Sequence, residues 1–387
     1  APMVDAVEWG NDAAILEAFQ RDGLVVVSGV LSEGEVALCV DELWASPRLI
    51  ARGPSTRDDP SSWVEGKWPQ GDGGRNFLDS LNPFFDRSPW RLIQNERIVS
   101  LHRLLYGQEV MALTAGRWGV MRPTEGHPEW RTEASWLHWD QNPWAEPGFM
   151  RIQSLVCLAD QNEMSGGFAC VPGAHQSFER WGQEHPEGAV VVGGRVLTRQ
   201  HGNGNPFTVP PEDPLQQEVS HIHAPRGSVI LWDGRIPHQN YPNTGTVFRV
   251  VHYLPFSPYA EQPASLRQEH LRKKLVVLSL LNENGACTDG SAKDQGESPG
   301  AAVGATFFPT ELKDLGRRVL CLPPAASGEQ DDFDGEQGAD KRQAILWCLE
   351  SAADEASGNA EEAARKLRRA CKKWPEIEEW HDAIFGV

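Results

Sequence analysis

The residues of this chain best suited to chemistry sit in one stretch, Trp136-Leu137-His138-Trp139-Asp140-Gln141-Asn142-Pro143. On a β-strand, positions i and i+2 point to the same face. His138 and Asp140 could therefore grip one metal ion from one side. A second histidine from a distant strand would complete a 2-His-1-carboxylate facial triad, an arrangement that leaves open positions on Fe(II) for a co-substrate and O₂.

The His-x-carboxylate pattern alone is weak. The chain holds 12 His and 54 Asp plus Glu in 387 residues, so chance supplies roughly one or two occurrences. Three are present: His127-Pro128-Glu129, His138-Trp139-Asp140 and His185-Pro186-Glu187. Proline in the middle of the first and last removes a ladder donor and disfavours a central strand. Only His138/Asp140 has strand-like neighbours.

The third ligand should come from a later strand. Arg226-Gly227 reads as a turn, Ser228 to Asp233 as a buried strand, and His238 follows at a strand edge. Taken alone, a histidine such as His238 is more often a satisfied polar residue than a ligand. The competing pair His221/His223 is also spaced i, i+2, but no well-placed carboxylate accompanies it in the sequence. Arg249 lies within the apolar run Thr246 to Leu254. A guanidinium in a buried strand needs an anionic partner, because an unpaired buried charge is too costly. Its two-pronged donor geometry suits a carboxylate. That carboxylate is either an internal Asp or Glu or the distal end of 2-oxoglutarate.

These residues must be held by a scaffold, and the sequence sketches one. Asn11 caps a helix that Gly23 ends, Leu24 to Val27 reads as a short buried strand, and Ser32 with Glu35 forms a capping box for a helix through Trp44. Residues 51–75, rich in Pro, Gly, Ser and Asp, read as an exposed loop, and helical signal returns at 95–106. From Val110 the texture becomes β-like: 110–121, 135–140, 149–159, 168–172, 226–232 and 246–254 are short runs split by Gly and Pro, which suggests a sandwich or barrel. The polar stretch 179–217 is expected to insert between two strands as a lid. Beyond Phe256 we expect a helix over 264–282, a low-complexity loop over 282–304 and a closing helix over 306–322. An acidic linker over 323–340 and helices over 344–356 and 360–373 complete the chain. The expected division is one domain over 1–322, with its β core at about 110–256, and a helical tail over 341–387.

Composition narrows the function classes. A formal net charge of −18 leaves no basic excess to release counterions, so nucleic acid is not an expected partner. No apolar run reaches the roughly 18–20 residues that span a bilayer. The first residues show neither a basic n-region nor an apolar h-region, so no signal peptide is expected, with a removed targeting segment left open. Seven scattered cysteines without a CxxC pair suggest reduced thiols in the cytoplasm or another reducing compartment. No feature of the sequence sets the oligomeric state. Tryptophan is frequent, 15 against 4 Tyr, and Trp118, Trp130, Trp136, Trp139 and Trp144 cluster around the opening stretch, either as core or as an aromatic wall around a substrate.

With these motifs in hand, the chain resembles the phytanoyl-CoA dioxygenase family of Fe(II)/2-oxoglutarate-dependent oxygenases, from Phe19 to about Leu322. The resemblance rests on His138-x-Asp140-Gln141-Asn142-Pro143, on Ser165-Gly166-Gly167-Phe168 with Val171-Pro172-Gly173-Ala174-His175, and on His238 followed by Arg249. It implies a mainly β fold with flanking helices (α+β), a double-stranded β-helix or jelly roll of cupin-like type. It implies His138, Asp140 and His238 as iron ligands and Arg249 as the 2-oxoglutarate anchor, with His175 structural. The implied reaction is oxidation of a small-molecule substrate with O₂, coupled to decarboxylation of 2-oxoglutarate to succinate and CO₂, with ascorbate as a stimulant. Gln141 and Gln153 become candidates for orienting the iron or co-substrate, and Trp139 and Trp144 for bordering the substrate, while Trp136 and Trp118 are expected in the core. Related halogenases replace the motif's carboxylate, so Asp140 favours hydroxylation-type chemistry. The 179–217 insertion and the tail beyond 323 depart from the family pattern. Two other readings stay open: a non-catalytic cupin-like binding module and a Zn(II) hydrolase on the same ligands.

Overall fold

The architecture is seen in a computed structural model, which describes residues 4–45, 57–64, 68, 87–112, 116–200, 207–259 and 360–375, together with 340, 344, 347 and 377. The expected features at 264–282, 282–304, 306–322, 323–339 and most of 344–356 lie outside the described residues.

Near the N-terminus, strand β1 (Val7–Glu8) precedes helix α1 (Asp12–Asp22), strand β2 (Leu24–Ser28) and helix α2 (Glu33–Trp44). The expected caps form. The Asn11 side chain accepts from the Ala14 N–H, Gly23 closes α1 in the left-handed conformation at φ 69°, and Ser32 and Glu35 make a reciprocal capping box. Helices α3 (Arg87–Ile93) and α4 (Glu96–Tyr106) follow. The next strands are β3 (Val110–Ala112), β4 (Arg117–Met121), β5 (His138–Trp139), β6 (Ile152–Cys157) and β7 (Gly167–Cys170). After helix α5 (Phe178–Glu184) come β8 (Val191–Val192), β9 (Arg195–Val196), β10 (Phe207–Thr208), β11 (Ser220–His221), β12 (Val229–Asp233), β13 (His238–Tyr241), β14 (Arg249–Leu254) and β15 (Phe256–Pro258). Helix α6 (Ala360–Lys373) matches the expected second tail helix.

A six-stranded sheet runs β1-β2-β12-β6-β14-β4 and a five-stranded one β10-β5-β13-β7-β11. Following the chain, β4, β6, β12 and β14 enter the larger sheet while β5, β7, β11 and β13 enter the smaller. All pairs among these eight are antiparallel. Such alternation between two facing sheets is a jelly roll, the fold expected.

The larger sheet is buried on both faces, and its side chains divide by parity. Val25, Val27, Val229, Leu231, Val156 and Val250 pack with Ile15, Val36, Leu43, Ile98 and Leu101 beneath the helices. Leu24, Val26, Ile230, Trp232, Leu155 and Val251 face the smaller sheet, where they meet Phe168 and Cys170. The functional side chains project into that second space.

Two expectations require correction. The 51–75 stretch was expected to be exposed, yet Trp63 and Trp68 are buried, with both rings against Phe248. Large apolar side chains override a Pro/Gly-rich loop composition. The 179–217 insertion is not a simple lid: it supplies β10 as the neighbour of β5, and Trp181 and Leu197 join the core.

Candidate active site

Strands β5 and β13 set the geometry. His138 and His238 are direct antiparallel partners, and directly opposed residues share a face. The two imidazole centroids lie 4.5 Å apart. Asp140, just past β5, places Oδ1 3.6 Å from His138 Nε2 and Oδ2 3.5 Å from His238 Nε2. One donor atom from each of the three falls within 4.8 Å of the others, close enough to hold one metal ion.

The surroundings prepare these groups for a cation. His138 Nδ1 lies 3.2 Å from the Trp136 carbonyl and His238 Nδ1 lies 3.0 Å from the Ile236 carbonyl. A carbonyl can only accept, so each Nδ1 carries a hydrogen, and Nε2 is the nitrogen that each ring turns toward Asp140. Burial, followed by the like charge of His138, pushes the His238 imidazolium pKa down to about 4, so this ring is neutral and ready to ligate at neutral pH. For Asp140, burial alone would raise the carboxyl. The His138 hydrogen bond, the charges of His238 and His138, and the Gln153 amide outweigh it and hold the group below the usual carboxylate range.

Gln153 reaches across from β6. Its amide nitrogen donates to Asp140 Oδ2, and its carbonyl oxygen accepts from the Trp232 indole at 3.0 Å. The side chain is thereby fixed at both ends and sets the carboxylate's orientation.

Arg249 is 2% exposed and sits on β14 with the same parity as Val251 and Tyr253. Its Nε donates to Gln161 Oε1 at 3.1 Å, while Nη2 has no hydrogen-bond partner. Among the described residues no carboxylate pairs with it, so the internal salt bridge left open by the sequence is not found there. The space beside it is shaped by Gly119, where a Cβ would meet Val251 and Tyr253 and lie 3.8 Å from Arg249 Nη1. The Tyr253 hydroxyl reaches Asn240 Oδ1 at 3.3 Å, and Asn240 is two residues from His238 on the same face. Arg249 and the triad thus open on one interior.

Several expected site residues sit elsewhere. Trp139 is 1% exposed and packs on Phe178, Trp181 and Phe207. Strand alternation turns it away from His138, so its expected place at the substrate is corrected to a core position. Trp144 is corrected likewise: it meets Phe207 edge-on, and its indole donates to the Gly182 and His185 carbonyls at 2.9 and 2.8 Å. Gln141 faces away from the triad, its amide donating to the Glu146 and Gly148 carbonyls at 3.0 and 2.9 Å. It holds the loop after Asp140.

Trp136, expected in the core, is instead half-buried and stacked on His138 at 5.0 Å and 23°. Its backbone N–H donates to Gln239 Oε1 at 2.9 Å. Ser135 before it has φ 64°, the one positive φ among the described non-glycine residues. Trp118 is fully buried as expected. Sequence reading assigned Trp136 to the core and passed over Asn240 and Tyr253, although each lies an even number of residues from His138, His238 or Arg249. That periodicity was the available signal.

Among the described residues the rival His-x-Glu pairs do not converge with a third ligand. His127 and Glu129 pair with each other at 2.9 Å on the surface. His185 bonds to the Trp181 carbonyl while Glu187 bonds to Arg199.

A jelly roll that holds two backbone-oriented imidazoles and a carboxylate on one face, with a buried arginine that no carboxylate pairs among the described residues, places this enzyme among the Fe(II)/2-oxoglutarate-dependent dioxygenases. The sequence model of the family described as "Phytanoyl-CoA dioxygenase (PhyH)" matches residues 19–251, more than half of the chain, and the chain belongs to that family. It is 29% identical over 261 residues to an ectoine dioxygenase of Sphingopyxis alaskensis, covering 62% of this chain and 76% of the relative. With an ectoine dioxygenase of Streptomyces avermitilis it shares 28% identity over 190 residues, 46% of this chain and 58% of the relative. The crystal structure of EctD from S. alaskensis with 2-oxoglutarate and 5-hydroxyectoine superposes with a TM-score of 0.41 at 22% identity, covering 67% of this chain and 82% of that one.

Proposed function

We propose that the chain oxidises a small organic substrate by hydroxylation or a related hydrogen-abstracting reaction, consuming O₂ and decarboxylating 2-oxoglutarate to succinate and CO₂. The observation that carries this reading is Arg249, a buried cation with an unbonded Nη2 and no carboxylate partner among the described residues. A hydrolase needs no such anchor, and a relic binding module has no reason to bear the cost of the charge.

In this reading His138, Asp140 and His238 hold Fe(II) from one side. Bound there, the ion supplies O₂ activation, with ascorbate as the external reductant that keeps it divalent. Arg249 takes the distal carboxylate of 2-oxoglutarate through a two-pronged contact. Gln161 fixes the guanidinium at Nε, and Tyr253 with Asn240 borders the same co-substrate. Gln153 keeps the Asp140 carboxylate turned toward the ion. Trp136 covers His138 and forms one wall of the substrate space, excluding water from it.

The oxygenase domain is proposed to span 1–322, with residues 341–387 as a helical tail. Described cysteines 39, 157, 170 and 371 are free, which suits the cytoplasm or another reducing compartment. Among the described residues no helix is long and apolar enough to cross a membrane.

The test is anaerobic titration of the protein with Fe(II) and then 2-oxoglutarate. A visible metal-to-ligand charge-transfer band is expected, and its absence with iron demonstrably bound overturns the assignment. Arg249→Ala should retain iron while its demand for 2-oxoglutarate rises by roughly thirtyfold or more, the scale of losing one partner from a buried charge pair. Loss of iron from that variant would show that Arg249 has another role.

A further inference from the structure

The His221/His223 pair lacked a carboxylate in the sequence, and the fold supplies one. Glu163, from the loop before β7, places Oε2 2.9 Å from His221 Nδ1 and Oε1 3.1 Å from His223 Nε2. His221 is paired with Ala169 across β11 and β7, whereas the neighbouring Phe168 faces His238 in the interior. The cluster therefore lies on the outer face of the sheet whose inner face carries the triad.

Two further observations prepare this cluster for a ligand. His221 is stacked on Tyr241 at 3.9 Å and 9°, and the Tyr241 hydroxyl donates to the Asn162 carbonyl at 2.9 Å, tying the ring's platform to the loop that carries Glu163. Gly167 leaves room for this packing, since a Cβ there would meet the Tyr241 hydroxyl at 2.6 Å. Beside the histidines opens a cavity of about 470 Å³, lined also by Asp5 and Asp160. It thus combines two imidazoles with carboxylates that favour a cation.

We infer that His221, His223 and Glu163 form a second metal site, independent of the oxygenase centre, that takes a divalent late-transition ion of the zinc class. Two imidazoles and one carboxylate suit such an ion and leave a fourth position for water from the cavity. The ion takes the place of the imidazole hydrogens now directed at Glu163, each ring carrying its remaining hydrogen on the other nitrogen. The donor atoms of the three residues do not all lie within 4.8 Å of one another, as those of the triad do, so binding needs the exposed imidazoles to turn and a rotation of the Glu163 side chain. That side chain is 63% exposed and free to make it. This site does not depend on the iron reading, and the two fail separately.

Zn(II) alone, titrated into the full chain against a chromophoric chelator, tests the site. The wild type is expected to take two equivalents, one at each cluster, and His221→Ala/His223→Ala only one. Glu163→Gln should weaken the second equivalent by at least the roughly tenfold loss that follows removal of even a partner outside the ligand set. A double-alanine protein that binds as many equivalents as the wild type overturns the inference. In unmodified protein, Zn(II) should also shield His221 and His223 from diethyl pyrocarbonate, read by peptide mass spectrometry. Equal labelling with and without Zn(II) refutes the site without any substitution.

Discussion

The two faces of the smaller sheet carry the same donor set in opposite states of preparation. On the inner face, His138 and His238 are each 7% exposed and each anchored through Nδ1 to a backbone carbonyl, while Gln153 fixes Asp140. On the outer face, His221 and His223 have side chains 39% and 43% exposed, and among the described residues their ring hydrogen bonds go only to Glu163. The inner donors are held before any ion arrives; the outer donors must rearrange to accept one. Preorganisation, more than residue identity, separates a centre suited to chemistry from one suited to reversible binding.

Removing a donor from the prepared face should have the largest effect. Asp140→Ala is expected to abolish iron-dependent succinate release, while Glu163→Gln leaves it unchanged, with both followed in one coupled assay. If Glu163→Gln also stopped turnover, the two faces would not be separate centres.

Next in size comes the tryptophan that alternation turns away from the triad. Trp139→Ala should cost about 3–5 kcal/mol of stability by emptying a core position, measured by urea unfolding. The substrate KM of the folded fraction should stay unchanged. A raised KM at undiminished stability would return Trp139 to the substrate wall.

A third test concerns pH. His102 is fully buried: its Nδ1–H donates to the Ile98 carbonyl at 2.8 Å and its Nε2 accepts from the Ser154 hydroxyl at 2.7 Å. Burial pushes its imidazolium pKa down to about 4, from the ordinary 6.5. Above pH 6.5 both folded and unfolded states hold it neutral, and its contribution is complete. As pH falls from 6.5 to 4 the unfolded chain takes a proton that the folded chain refuses, so stability drops by on the order of 3 kcal/mol. In metal-free protein, urea midpoints across this window should fall less steeply for His102→Gln, with the share from His238 remaining. An unaltered slope would mean that His102 is already charged in the folded protein.

The smallest effect probes orientation alone. Gln153→Ala leaves all three ligands in place, and iron affinity should fall roughly 10–100-fold, read by competition with a chelator. No change would show that Asp140 is positioned without it.

Much of the fold was legible because its signals are local. The caps at Asn11, Ser32 and Gly23 act within one helical turn, and the β texture from Val110 onward follows from short apolar runs between turn residues. The candidate pair His138/Asp140 was legible for the same reason, since i, i+2 spacing on an extended backbone fixes a shared face. Arg249 stood out because an apolar strand gives a guanidinium no partner of its own. Composition misled where long-range packing prevailed, as with Trp63 and Trp68 in a loop that otherwise looked exposed.

The sequence by itself thus determined which residue types lie together along the chain and which face each takes relative to its neighbours. Tertiary structure alone decided which distant groups meet. Strand β5 is only two residues long, so its pairing with β13, rather than its own pattern, turns His138 inward and Trp139 into the core. Glu163 reaches His221 and His223 across 58 and 60 residues, a closure that no local spacing encodes. Side-chain parity is a property of the extended backbone, whereas the partner of a buried or bridging charge is set by sheet register, which the whole core must agree on.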